Sequence, residues 1–156
     1  RADHVARSFA HWNGLQLAQN IVKKVRGYIF SRSFMGERAP QHIQNLAIRD
    51  YCERNRLQFL LSATEYAMEG CHMMFEQLLE ELPTIDGVVA YSLFQLNALP
   101  SQRRRIYETV LAHNKTLHFA VEDCHAGAAS EFERIETLWR IRHTLSHCPQ
   151  TLASAP

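Results

Sequence analysis

The sequence predicts an α/β fold, a three-layer sandwich around a mainly parallel sheet of four strands in the order 2-1-3-4. Three observations predict it. Four short stretches are almost continuously apolar, as strands buried on both faces of a parallel sheet must be. Segments with helical spacing lie between them, so strand and helix alternate three times. Each strand-helix unit takes roughly 30 residues, the length a right-handed crossover needs.

In chain order, the first strand is read in "VRGYIFS" (25–31). A helix over 40–54 follows, with Ile43, Leu46, Ala47 and Tyr51 on one face and Pro40 suited to its first turn. "LQFLLSA" (57–63) is the second strand. In 70–82, Cys71, Met74, Phe75, Leu78, Leu79 and Leu82 form a stripe of helical period. "DGVVAYS" (86–92) is the third strand. A helix over 101–113 pairs Ile106 with Val110 and Tyr107 with Leu111 at i,i+4, behind Ser101 as a candidate cap. "TLHFAVE" (116–122) closes the sheet. Helical flanks are predicted at 2–24, broken at Asn13-Gly14, and at 129–146, where Phe132, Ile135, Leu138 and Trp139 share a side. With no internal repeat and no low-complexity linker, residues 1–156 read as one domain: an N-terminal flank (1–24), a sheet core (25–122) and a C-terminal helix.

Composition narrows the function classes. A formal charge of +1 gives no general reason to expect nucleic acid or an anionic membrane as partner. Five basic residues stand against one acid in residues 1–26, so that segment carries +4 and the remainder −3. The four cysteines are widely spaced, unlike a disulfide framework, and fit reduced thiols in a cytoplasm. No apolar run approaches the roughly 18 residues a membrane helix needs. The start "RADHVARSFAHW" has no continuous signal-peptide core. The sequence therefore predicts a soluble, cytoplasmic protein. Metal and cofactor sites are not predicted: His143 and His147 lie i,i+4 beside Cys148, but no CxxC or HxH pair supports them. There is no GxSxG elbow, and no Walker or dinucleotide loop.

In a parallel sheet, the loops after all four strands emerge at one edge, where ligands of open α/β folds bind. Here those loops are polar. The first carries Ser31, Arg32, Ser33, Glu37 and Arg38, and the second Ser62, Thr64, Glu65, Tyr66 and Glu69. The third carries Ser92, Gln95 and Asn97 ahead of Arg103–Arg105, and the fourth Glu122, Asp123, Cys124 and His125. From these, Ser31, Arg32, Arg38, Glu65, Tyr66, Ser92 and Gln95 are the predicted ligand-binding set, with Glu65 and Ser31 as candidate catalytic groups. The arginine triplet falls in a helix's first turn, where cations are disfavoured. Either an anion offsets that penalty there, or the side chains reach water or glutamates of a neighbouring helix.

The run "RGYIFSRSFMGERAPQHIQNLAIRDYC", with "LLSATEYAMEG" and "IDGVVAYSLFQL", resembles the sporadic carbohydrate cluster protein family, encoded among bacterial cell-surface polysaccharide genes. That resemblance covers about residues 26–148. It implies a role in lipopolysaccharide or capsule sugar metabolism, and hence a phosphorylated or nucleotide-linked sugar as ligand. Arginine would then hold phosphate, Glu65 would serve as acid/base or hydroxyl acceptor, and Gln95 would orient hydroxyls. A more distant resemblance is to the serine recombinase catalytic domain, which also begins with a GYxRxS strand and has a helix ending near "YC". Gly27 and Tyr28 match. Phe30 stands where that family has arginine, Arg32 where it has the serine nucleophile, and Phe94, Gln95 and Ala98 replace the DRLxR aspartate and arginines. Phosphoryl transfer needs fixed cations around the phosphate, so a shared fold without strand cleavage is implied, and with it a non-catalytic interaction module as the alternative. Tyr107-Glu108 also gives a weaker likeness to nucleoside deoxyribosyltransferases, whose catalytic glutamate often follows a tyrosine. The two apolar stripes, 129–146 and the segment with Val5, Phe9, Trp12, Leu15 and Leu17, exceed what a small sheet needs. A homodimer with Trp12 or Trp139 near its contact is therefore predicted.

Overall fold

The computed structural model describes residues 22–36, 38–145 and 147–148. Residues 1–21 of the N-terminal flank, with Asn13-Gly14 and Trp12, and Glu37 lie outside the described residues, while Lys24, the flank's last residue, begins the first strand. Strands β1 (Lys24–Phe30), β2 (Gln58–Glu65), β3 (Gly87–Ala90) and β4 (Thr116–Phe119) alternate with helices α1 (Gln41–Arg54), α2 (Met73–Glu81) and α3 (Pro100–Ala112). The parallel core runs in the predicted order, β2-β1-β3-β4. A fifth strand, β5 (Cys124–Ala126), adds antiparallel to β4 before helix α4 (Ala129–Leu145). The sheet thus has five strands where the sequence predicted four. "EDCHAG", read as a rim loop, is a tight reversal with Asp123 at φ 48°. Three residues are too few to show a strand period. Their pairing follows from β4's open edge, whose backbone groups need partners.

The two faces are covered by different helices. Ile48, Tyr51 and Cys52 of α1 pack on Val25, Ile29, Val89 and Ala120. The opposite face carries α2, α3 and α4: Phe75, Leu78, Ile106, Val110, Phe132 and Ile135 close over Tyr28, Phe30, Val88, Leu117 and Phe119. Each such fully buried side chain contributes about 1.5–3 kcal/mol against the entropy of ordering. The helix starts differ slightly from expectation. Pro40 precedes α1 without a side-chain cap, and α3 begins at Pro100 behind Leu99, so Ser101 lies inside the helix. Trp139 is 6% exposed, packed on Phe94 (ring centroids 5.2 Å apart) and under the Arg103 guanidinium at 4.2 Å. Phe132, Ile135 and Trp139 of α4 are thus covered by their own domain, whereas Leu145, at the end of the same helix, is 60% exposed.

Gly27 of the first motif has a steric role. A Cβ there would run into Ser62 Oγ and come within 2.9 Å of the Phe59 ring. The β1–β2 register shifts at this point. Leu61 turns out to solvent (79% exposed) while Arg26 Nε donates to its carbonyl at 2.7 Å. An irregular edge of this kind discourages pairing with other strands.

Because β1 connects through α1 to β2 on one side and β3 connects through α3 to β4 on the other, the connections leave β1 and β3 in opposite directions. A crevice opens between their carboxyl ends. That is the topological switch point of the fold.

Candidate functional site

The crevice is framed by a buried amide network. Gln44 of α1 is fully buried, and its Nε2 donates to Phe30 O (2.6 Å) and Ala39 O (2.7 Å). Its Oε1 accepts from Phe30 N (3.2 Å) and from Gln95 Nε2 (2.8 Å). Gln95 Oε1 in turn accepts from Ser92 N at 3.3 Å. Ser92 caps the short 3₁₀ turn Leu93–Gln95 by accepting from Phe94 N, and donates its hydroxyl to Glu122 at 2.6 Å. Leu93 N also donates to Glu122, at 3.0 Å. Buried polar groups need such partners, and here the partners tie the loops after β1, β3 and β4 into one frame.

Above that frame lies a cavity of about 400 Å³, lined by Phe34, Tyr91 and Phe94 with Arg38, Glu122 and Arg142. A neighbouring cavity of about 440 Å³ is lined by Ser31, Arg38, Pro40, Gln41 and His42. Arg38 borders both, so the crevice has two lobes with a cation between them. Arg38 Nε donates to Ser31 O (3.1 Å) and Arg142 to Met35 O (3.3 Å); both residues are exposed. Volumes of this size suit small ligands, and aromatic walls with a few charged groups are their usual lining.

The predicted residues divide into two groups. Ser31, Arg38 and Ser92 border the crevice, and Gln95 lies beneath it, 1% exposed. Arg32, Glu65 and Tyr66 lie together at the β2–α2 connection instead. Arg32 donates to Tyr66 O (3.0 Å), Met68 O (3.1 Å) and Cys71 O (2.6 Å), with its guanidinium 4.4 Å from the Phe30 ring. The arginine thus shapes the 66–72 loop. Glu65 is 2% exposed and accepts from Tyr28 OH (3.1 Å), Tyr66 N (3.0 Å), Met74 N (3.0 Å) and Phe75 N (3.2 Å). Burial pushes its carboxyl up, but the three backbone N–H donors outweigh that and hold it below the usual carboxylate range. The same burial, with the Glu65 charge beside it, raises the Tyr28 phenol. Tyr66 is 53% exposed.

Two further polar clusters lie elsewhere. Arg103 is buried and forms a bidentate pair with Glu136 (2.6 and 2.8 Å), also donating to Asn97 O and Ala98 O. The first-turn cation therefore meets a neighbouring helix's glutamate, one of the two outcomes the sequence left open. Tyr107 stacks on Phe132 and donates to Glu136 at 2.7 Å, while Glu108 is exposed on α3. On the α1 face, His118 bonds Tyr51 OH (3.0 Å) and Thr116 Oγ1 (2.8 Å). Burial, reinforced by His125 and Lys23, lowers its pKa to about 4, so the ring is neutral. Burial likewise pushes Tyr51 up to about 12.

The sequence reading passed over Phe34, Tyr91, Phe94 and Arg142 as site residues. The signal available was weak: aromatics just beyond the first and third strands, and one arginine late in the last helix. Among the described residues no three His, Cys, Asp or Glu side chains are placed to hold a metal ion, and no helix is long and apolar enough to cross a membrane.

These features define a mainly parallel α/β domain with a crevice at the switch point. A resolvase family site-specific recombinase from Streptococcus pneumoniae is similar to it with a TM-score of 0.51 at 10% identity, over 79% of this chain and 91% of the other. The N-terminal catalytic domain of TP901-1 integrase gives 0.49 at 16%, over 78% and 97%. At 10% identity the likeness to the first is one of fold. No protein-family model and no curated protein matches the chain.

Proposed function

We propose that the chain is a binding protein for a phosphorylated or nucleotide-linked sugar, held in the two-lobed crevice, within bacterial cell-surface carbohydrate biosynthesis. One observation carries this reading: Arg38 and Arg142, from separate elements, border an aromatic cavity at the switch point. Guanidinium groups match phosphate oxygens bidentately, and aromatic rings offer flat faces to a sugar or base. The carbohydrate context rests on the resemblance of the three phrases in 26–96 to the carbohydrate cluster family. The fold does not argue for recombination in this chain. Phe30 is buried in the core, and Arg32, at the nucleophile's place, is engaged with three carbonyls.

That same engagement of polar groups supports a second reading, an interaction module that has kept the fold without its chemistry. A thermal-shift and calorimetric panel of nucleotide sugars and sugar phosphates distinguishes the two. The binding reading expects a Tm rise with one compound class, and a loss of roughly 1.5–3 kcal/mol of affinity in Arg38→Ala and in Arg142→Ala. Silence across the panel, with a pathway enzyme captured by the purified protein, would favour the module.

A further inference from the structure

Among the described residues one carboxylate, Glu122, lines the crevice, and its neighbours leave it a defined task. Glu122 accepts the Ser92 hydroxyl on Oε1 and the Leu93 N–H on Oε2. An ionised carboxylate has about four acceptor positions over its two oxygens, so each oxygen keeps one for a further donor. The two protein donors fix the group in one orientation. Ser92 is itself 3% exposed and held by Phe94 N, so the mooring is rigid. Glu122 lines the same cavity as Phe94, Phe34 and Arg142.

An acceptor beside two arginines serves neither the phosphate nor the ring faces, since it repels the first and offers the second no stacking. It suits a ligand that carries paired donors at a distance from its anionic end. Adjacent hydroxyls on a sugar ring are such a pair, and their hydrogen bonds to a carboxylate are charge-assisted.

We infer that Glu122 is the specificity-determining residue of the crevice: it accepts the 2-hydroxyl and an adjacent hydroxyl of the bound sugar, while Arg38 and Arg142 hold the phosphate. This rests on the sugar-binding reading above. It goes beyond that reading in assigning diol selection to one side chain moored by Ser92.

The test uses the full chain and matched probes by calorimetry: galactose 1-phosphate, glucose 1-phosphate and ribose 5-phosphate, each against its 2-deoxy counterpart, with inorganic phosphate as control. The parent protein should bind at least one sugar phosphate more tightly than its 2-deoxy form by about tenfold or more, the scale of one charge-assisted hydrogen bond. Glu122→Gln, which keeps the volume and one acceptor oxygen, should narrow that ratio severalfold without abolishing phosphate-dependent binding. Ser92→Ala, which removes one of the carboxylate's two moorings, should narrow it as well. Equal binding of sugar and 2-deoxy sugar by the parent would overturn the assignment to Glu122 and leave the sugar-binding function standing. So would a ratio untouched by Glu122→Gln. Absence of binding by every probe would overturn both. The parent comparison needs no variant, so a poorly folding substitution does not obscure the answer.

Discussion

Replacing Glu65 by glutamine should damage the fold while leaving the crevice in place. The carboxylate receives the Tyr28 hydroxyl and the backbone N–H groups of Tyr66, Met74 and Phe75 in a site 2% exposed to solvent. Glutamine offers one oxygen and one NH₂ in the same volume, so at least one buried donor then faces another donor. Hydrogen bonds to a charged group are worth about 1.5–3 kcal/mol, and each buried donor left unsatisfied costs about 1–3 kcal/mol. The expected loss is therefore about 3–5 kcal/mol, a large share of the total for a single domain. Thermal unfolding should show Tm falling by roughly 10 °C, at about 2–4 °C per kcal/mol for a chain of this size. The pH profile supplies an independent check. The folded pKa lies below the ordinary carboxylate value of 4.5, so this stabilisation is present above that pH and is lost as pH falls through the folded pKa. Glu65→Gln should remove that acid-dependent component. A Tm within about 2 °C of the parent, or an unchanged acid limb, would refute the assignment of Glu65 as the buried anchor of α2.

Other outcomes follow from the same geometry. Arg32→Ala should lower Tm, since three backbone carbonyls lose their donor, whereas Arg38→Ala should leave Tm nearly unchanged and act on ligand affinity. Arg103→Ala should cost about 3–5 kcal/mol in urea unfolding, because it strands the half-buried Glu136 carboxylate; Arg103→Lys should recover only part, lacking the bidentate fork. His118 is neutral in the fold, with its pKa lowered from 6.5 to about 4. Its contribution, up to about 3 kcal/mol, is complete above pH 6.5 and should be lost as pH falls toward 4, with NMR titration showing an unprotonated ring at pH 5. Tyr51→Phe should destabilise by about 1 kcal/mol through loss of the 3.0 Å bond to that ring.

Much of the fold was legible because it is written in short-range periodicity. "YIF" and "VVA" are apolar, and "LHF" buried, on successive residues because both faces of those strands are covered, and the stripe of Phe75, Leu78, Leu79 and Leu82 repeats with the helical turn. Alternation of the two patterns, with crossovers of one hand, leaves few topologies, and the chain adopts the predicted order 2-1-3-4 among them. The sequence also located the rim, since parallel strands put their following loops at one edge. Which rim residues remain available for a ligand was decided by tertiary structure. Arg32 and Arg38 look alike in the text, six residues apart. Only the folded chain brings Tyr66, Met68 and Cys71 carbonyls to Arg32 from more than 30 residues away, while Arg38 bonds one nearby carbonyl. The same holds for Glu65 under the N-terminus of α2, for Arg103 against Glu136, and for β5, whose three residues become a strand because β4 presents an unpaired edge. Periodicity is a property of neighbours along the chain, whereas satisfying a buried polar group depends on partners the chain brings together only when it folds.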